Sequence, residues 1–261
     1  MRELPKRILS ALVFGPIMLV GFYFGGYLLF ILTMLIAVEI LREFARVKSA
    51  YFSKWQFFIV FMVSILWLWA TTIEYPLMLQ LLLASLIIIF LVELGRNLIE
   101  DTFQRAGAML FLYVLCGILP SAFIQVRQFG KFWAILPIVM VWVVDTFAYW
   151  GGSLTGKHKL AQSISPKKTV EGFLWGIVSA IIIAIIVKQI YPEKNSLCIW
   201  SLVVITGIIG QLGDLFESKI KRQFGVKDMS SIMPGHGGIW DRMDSLFWVY
   251  PITLVMLNLL A

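Results

Sequence analysis

The stretch of residues 218–244 is the most polar part of an otherwise apolar chain. Its positive side chains could hold several phosphate oxygens through charge-assisted hydrogen bonds. They are Lys219, Lys221, Arg222, Lys227 and Arg242. The carboxylates of Asp228, Asp241 and Asp244 would repel a polyphosphate unless a divalent cation lay between them, and Mg²⁺ is usually bound by one or two carboxylates together with substrate phosphates. The mixed charge therefore predicts a site that binds a metal ion and phosphate groups together.

A glycine-rich turn lies in the middle of this stretch, with the sequence Pro234-Gly235-His236-Gly237-Gly238. Glycines allow positive φ and let the backbone approach a ligand closely, so the turn could cradle an anion. His236 is a side chain that can exchange a proton near neutral pH. We expect it to bind or to shape the loop rather than to act as a general base, because a phosphate nucleophile already carries negative charge.

Further polar candidates precede this stretch. Asp145 lies within an apolar run, where an ionisable side chain is costly and indicates a functional site unless it is paired for packing alone. Lys167 and Lys168 follow Ser165-Pro166, and Ser165 is predicted to cap a helix that begins at Pro166. The free N–H groups of that helix start, with the two lysines, would attract an anion.

A polar helix face is predicted where the apolar run of residues 197–217 ends. Helical periodicity places four side chains on this face. They are Asp214, Glu217, Ser218 and Lys221. Asp241 and Asp244 are three residues apart and would converge in the same way if the next helix starts near Ile239. The sequence therefore predicts a cation site formed by Asp214, Asp241 and Asp244.

Composition places this chemistry in a membrane. Of the 261 residues, 60% are hydrophobic and 14% are charged, and the mean hydropathy is +0.88. The net charge of +7 does not indicate nucleic-acid binding, because the basic residues alternate with long apolar runs instead of forming one face. Cys116 and Cys198 lie in apolar runs without a nearby Cys or His, so neither a zinc site nor a disulfide is predicted.

Nine apolar stretches approach the length of about 20 residues that a spanning helix needs. They lie at roughly 8–25, 27–45, 55–73, 76–94, 106–125, 132–152, 170–190, 197–217 and 245–261. The sequence thus predicts an all-α polytopic membrane protein. Most Lys and Arg residues would lie on one side of the membrane, and this asymmetry predicts a cytoplasmic N-terminus and a C-terminus outside. Glycines at 207, 210 and 213 would let another helix approach the eighth stretch closely.

The chain divides into two parts. Residues 1–130 would hold about five spans, and residues 131–261 would hold the catalytic region with cytoplasmic loops at about 153–169 and 218–244. Within the first part, Glu39 is the charge inside a span. We expect it to pair with Arg42 or Arg46 near the interface, outside the site.

The stretch SKIKRQFGVKDMSSIMPGHGGIWDRMD, from Ser218 to Asp244, closely resembles the signature of the phosphatidate cytidylyltransferases, also called CDP-diacylglycerol synthases. The stretches DTFAY, from Asp145, and SPKKTVEG, from Ser165, also resemble this family. The resemblance covers roughly residues 140–250. It implies a nucleotidyltransferase of phospholipid biosynthesis that makes CDP-diacylglycerol and pyrophosphate from CTP and phosphatidate with Mg²⁺, at the cytoplasmic face of the cell membrane.

This resemblance assigns roles to the candidate residues. Asp214, Asp241 and Asp244 would hold the metal ion, and a second, monovalent cation is also allowed. The groups expected to bind substrate phosphates are Lys167, Lys168, Ser218, Lys221, Arg222, Lys227, His236, Gly237, Gly238 and Arg242. Asp145, Glu217 and Asp228 are additional candidates.

Two other classes remain open. A transporter could place carboxylates within spans, although no inverted repeat is evident. A CTP-dependent polyprenol kinase would share the topology and the cation site. The sequence also leaves a monomer and a homodimer open.

Overall fold

The computed structural model of the chain describes residues 3–47, 53–96, 98–233 and 237–260, with side chains described from residue 12 onward in the first helix. Long helices make up most of it. They are α1 (Glu3–Phe24), α2 (Gly26–Val47), α3 (Lys54–Thr72), α4 (Met78–Leu94), α5 (Thr102–Gln128), α6 (Lys131–Thr155), α7 (Val170–Ile190), α8 (Ser196–Gln223) and α9 (Trp240–Leu260). Between α6 and α7 lies an antiparallel hairpin of β1 (Lys159–Ala161) and β2 (Ser165–Thr169).

Within these described ranges, six helices are long and apolar enough to cross a membrane, namely α3 and α5 to α9. The chain is therefore an all-α polytopic membrane protein, but the nine predicted spans are not confirmed. The apolar parts of α1 and α4 are shorter, at Leu12–Phe24 and Met78–Leu94. Helix α2 carries Glu39, Arg42 and Glu43 close to its end.

The first of two compact units comprises residues 1–128 together with residues 229–240. Aromatic rings hold the later segment to this unit, because the ring of Trp240 lies 4.8 Å from that of Phe44 and 6.5 Å from that of Phe111. Arg42 donates a hydrogen bond to Glu39, which confirms the pairing predicted from the sequence. The unit thus gathers α1 to α5 and the part of the polar stretch that contains the glycine-rich turn.

A buried polar network joins α3, α4 and the start of α5 in the first unit. Gln56 Nε2 donates to Glu93 Oε2 at 2.6 Å, and Arg105 Nε donates to Glu93 Oε1 at 2.8 Å. Arg105 also donates to the Leu98 carbonyl at 2.7 Å. Because a buried charge is stable only when it is paired and hydrogen-bonded, this network has a structural role.

The second unit comprises residues 129–228 and 241–261. Its helices pack through glycines, as expected where van der Waals contact drives helix association in a membrane. A Cβ at Gly172 of α7 would lie 2.6 Å from the Ala148 carbonyl oxygen of α6. On α8, a Cβ at Gly207 would lie 3.3 Å from Cα of Ile177, and one at Gly213 would lie 2.2 Å from Cδ1 of Trp248. The predicted role of the α8 glycines in close helix approach is confirmed.

The start of α7 differs from the prediction. Ser165 does not cap a helix at Pro166, because residues 165–169 form strand β2, which pairs with β1 through Ala161 opposite Ser165. The helix begins at Val170, and the side chain of Thr169 caps it by accepting a hydrogen bond from the N–H of Gly172 at 3.1 Å. The residue before a proline disfavours the helical conformation, which is consistent with a strand at Ser165.

Candidate functional site

Three aspartates of the second unit lie within electrostatic range of one another, and we call them the carboxylate cluster. They are Asp145 on α6, Asp214 on α8 and Asp244 on α9. Asp145 is exposed, whereas Asp214 and Asp244 are half-buried. The side chains therefore converge from three helices that are distant in sequence. Asp145, which the sequence offered as an additional candidate, belongs to this group.

Two cations compensate the carboxylate cluster. Lys168 at the end of β2 donates from Nζ to Asp214 Oδ2 at 2.5 Å. Arg242 lies within electrostatic range of both Asp145 and Asp244. The hairpin thus places Lys168 beside the cluster, although no helix begins at Pro166 as the sequence predicted. With negative and positive groups side by side, the cluster has the mixed charge that a metal ion and phosphates require.

The partners of Asp214 and Asp244 hold their carboxylates in place. Ser218 Oγ donates to Asp214 Oδ1 at 3.4 Å, one turn along α8. Asp244 Oδ1 accepts from the N–H of Ser245 at 2.6 Å. Each aspartate keeps oxygen lone pairs in addition to these bonds, because a carboxylate has about four acceptor sites.

A second charged group lies further along α8, and we call it the lysine triad: Lys221, Glu217 and Asp241. Lys221 Nζ donates to Glu217 Oε1 at 2.8 Å and to Asp241 Oδ1 at 2.6 Å. All three residues are buried, with relative exposures of 8%, 2% and 4%. The predicted polar face of α8 is confirmed. Its last turn, however, forms an internal ion pair, and this placement favours a counter-ion role for Lys221 over the phosphate-binding role predicted from the sequence.

The two aspartates of α9 have different partners, although both lie within electrostatic range of Glu217. The helix is regular from Trp240 to Met243, is interrupted by a turn at residues 244 and 245, and resumes at Leu246. Asp241 binds Lys221, whereas Asp244 lies within electrostatic range of Asp145 and Asp214. The sequence pattern alone could not reveal the break.

The other predicted phosphate-binding cations lie at the surface of the second unit. Lys167, Lys227 and Arg242 are exposed, as is the carboxylate of Asp228. Arg222 is also exposed and donates to the Ile164 carbonyl at 3.1 Å and to the Val226 carbonyl at 2.9 Å. Arg222 therefore links the hairpin to the end of α8.

The glycine-rich turn belongs to the first unit. Pro234, Gly235 and His236 lie outside the described residues. On its far side, Gly237 has φ of +84°, and its carbonyl accepts from the N–H of Met233 at 2.9 Å. A Cβ at Gly238 would lie 2.3 Å from Glu43 Oε1, so only glycine fits there.

Sequence reasoning missed Glu43 as a candidate. Its carboxylate is fully buried and contacts the polar stretch that the sequence singled out. The available signal was its position four residues after Glu39, near the end of an apolar helix, where a second carboxylate within a span is unusual.

The carboxylate cluster suits a hard divalent cation by the chemistry of its donors. Mg²⁺ prefers oxygen ligands and commonly takes one or two carboxylates, with substrate phosphates and water completing the shell. Among the residues that the structure describes, no group of three or more His, Cys, Asp or Glu side chains is close enough to hold a metal ion alone.

Comparison with known proteins confirms the resemblance seen in the sequence. The profile of the cytidylyltransferase family matches residues 5–260. A phosphatidate cytidylyltransferase of Staphylococcus haemolyticus is 35% identical over 260 residues, covering 96% of each chain. Enzymes of the same name from Staphylococcus saprophyticus and Staphylococcus epidermidis are 34% and 35% identical over the same length and coverage. The chain therefore belongs to the cytidylyltransferase family and is a membrane-embedded enzyme of phospholipid biosynthesis.

Proposed function

We propose that the chain transfers a cytidylyl group from CTP to phosphatidate, forming CDP-diacylglycerol and pyrophosphate. The observation that carries this proposal is the carboxylate cluster flanked by Lys168 and Arg242, because such a site can hold a metal ion and phosphates together. The names of the three staphylococcal relatives support the same reaction. A bilayer lipid and a water-soluble nucleotide are both accessible to side chains near the ends of apolar helices.

In this reaction, a phosphate oxygen of phosphatidate attacks the α-phosphorus of CTP in line. A new P–O bond forms, and the bond from the α-phosphorus to the bridging oxygen breaks, so that pyrophosphate leaves with that electron pair. Lys167, Lys168 and Arg242 would hold the phosphate groups of the two substrates. Arg222 and Lys227 would contribute positive charge near the pyrophosphate as it leaves.

Asp214 and Asp244, with Asp145 beside them, would hold Mg²⁺. The bound ion would neutralise negative charge that develops on the phosphate oxygens. Asp241, predicted from the sequence as a third ligand, would instead position the start of α9 through its ion pair with Lys221. Lys168 would keep Asp214 oriented before substrates bind.

We also propose that the hairpin and the segment after α8 face the cytoplasm, where CTP is available. The support is the distribution of Lys and Arg residues along the sequence.

This topology predicts the labelling of single cysteines in sealed cells. A membrane-impermeant maleimide should label Glu193→Cys and should leave Gln162→Cys unlabelled until the cells are permeabilised. Both positions are exposed, whereas native Cys116 and Cys198 are buried and provide the background. Labelling of Gln162→Cys in intact cells, with Glu193→Cys protected, would reverse the proposed orientation.

The reaction itself is tested with the pure protein in detergent. We expect CTP, phosphatidate and Mg²⁺ to give a lipid with the mass of CDP-diacylglycerol and one equivalent of pyrophosphate, without an ion gradient. Polyprenol replaces phosphatidate in a parallel assay. Formation of a phosphorylated polyprenol and no CDP-diacylglycerol would contradict the proposal, and so would the absence of any CTP turnover.

A further inference from the structure

The carboxylate of Glu43 accepts hydrogen bonds from residues that precede and follow the glycine-rich turn. Glu43 Oε1 accepts from Ser230 Oγ at 2.8 Å and from the N–H of Ile239 at 2.7 Å. Glu43 Oε2 accepts from the N–H of Trp240 at 3.1 Å. One side chain on α2 therefore binds Ser230 on one side of the glycine-rich turn, and Ile239 and Trp240 on the other.

We propose that Glu43 is a positioning residue of the enzyme: it binds the chain on both sides of the glycine-rich turn and fixes the point where α9 begins. Glu43 does not have to touch substrate in this role. Trp240, whose N–H it binds, is the first residue of α9 and is followed in the chain by Asp241. The inference rests on the proposed function for the kinetic part of its test, and the structural part is independent of it.

Burial makes this anchor strong. Glu43 has a relative exposure of 0%, and a carboxylate removed from water is stable only if its oxygens are well hydrogen-bonded. Hydrogen bonds to an ionised acceptor are roughly twice as strong as neutral ones. The chain is thus held on both sides of the glycine-rich stretch by one buried side chain.

The neighbouring glycine fits the same arrangement. A Cβ at Gly238 would lie 2.3 Å from Glu43 Oε1 and 2.6 Å from Glu43 Cδ. The absence of a side chain at Gly238 is therefore required by the approach of Glu43. The sequence had assigned Gly238 to phosphate binding, and the two explanations predict different behaviour when Glu43 is shortened.

The structural part of the test is hydrogen exchange of the full-length protein in detergent. In Glu43→Gln, one carboxylate oxygen becomes an NH₂ group that cannot accept a hydrogen bond, so the peptide covering residues 229–240 should exchange at least about tenfold faster than in the parent. Glu39→Gln is the matched control, because Glu39 lies one turn earlier on α2 and pairs with Arg42. Equal exchange in Glu43→Gln and the parent would refute the anchor.

The kinetic part measures CDP-diacylglycerol formation. We expect kcat/KM for CTP to fall about 10- to 100-fold in Glu43→Gln, which is typical when a group that orients a site is lost, and to stay at the parental value in Glu39→Gln. Faster exchange with unchanged kcat and KM would make the anchor purely structural and overturn the positioning role. If the parent itself makes no CDP-diacylglycerol, the proposed reaction fails while the exchange result still decides the anchor.

Two further variants keep the test decisive if Glu43→Gln folds poorly. Ser230→Ala removes one of these hydrogen bonds and should accelerate exchange of the same peptide, by a smaller factor. Gly238→Ala should lower the turnover of the parent enzyme. In a Glu43→Ala background the same change should lower turnover little further, because the space beside residue 238 is then free. Equal cost of Gly238→Ala in both backgrounds would assign Gly238 to a ligand and contradict its role beside Glu43.

Discussion

Replacing Asp214 or Asp244 by Asn should lower the rate of CDP-diacylglycerol formation about 10²- to 10³-fold, which is the usual effect of losing one interaction in a preorganised electrostatic site. The change keeps the shape of the side chain and removes the negative charge that binds Mg²⁺. Both residues belong to the carboxylate cluster, where Lys168 and Arg242 already supply positive charge. Neutralising one aspartate therefore leaves the site too positive to hold a cation well.

Two measurements made together test this expectation: the melting temperature in detergent and the Mg²⁺ dependence of turnover. The variants should melt close to the parent and either need more Mg²⁺ or stay inactive at any concentration of it. Glu193→Gln, an exposed carboxylate of the same unit, is the control for a change of charge alone. A variant that unfolds early, while its folded fraction keeps parental turnover and Mg²⁺ dependence, would remove that aspartate from the metal site.

Local patterns predicted the parts of the structure that depend on neighbouring residues. The apolar runs gave long helices, and the three- and four-residue spacing on α8 placed Glu217 one turn before Lys221. Glycines along α8 do meet neighbouring side chains and backbone. The aspartate within an apolar run, Asp145, lies beside Asp214 and Asp244, and its functional role stays a prediction.

These patterns could not predict contacts between residues that are distant in sequence. Glu43 binds Ser230 and Ile239, which follow it by 187 and 196 residues, and no spacing rule connects them. Strand β2 exists because Ser165 pairs with Ala161, and this pairing outweighs the local signal for a helix at Pro166. The periodicity of the sequence also could not show that Asp241 binds Lys221, which precedes it by 20 residues, or that a turn interrupts α9 at residues 244 and 245.

Replacing Lys221 by Met should destabilise the protein by about 3 to 5 kcal/mol, because breaking a buried ion pair leaves uncompensated charge behind. Glu217 and Asp241 are both more than nine-tenths buried, and Lys221 donates a hydrogen bond to each of them. A role at the membrane surface would instead predict a change in substrate KM with normal stability. The measurement is the unfolding free energy in detergent, compared with that of Lys219→Met, an exposed lysine on the same helix.

A triple variant separates stranded charge from lost packing. If the cost of Lys221→Met comes from removing a cation beside two buried carboxylates, then Glu217→Gln and Asp241→Asn added to it should restore most of the stability, since a neutral set often replaces a buried ion pair without loss. Additive destabilisation by the three changes would contradict this explanation. The single variant Asp241→Asn then tests the role of Asp241. If Asp241 is a counter-ion, the variant should be less stable, and its folded fraction should keep the parental Mg²⁺ dependence of turnover. If Asp241 is a metal ligand, the variant should need more Mg²⁺ at nearly unchanged stability.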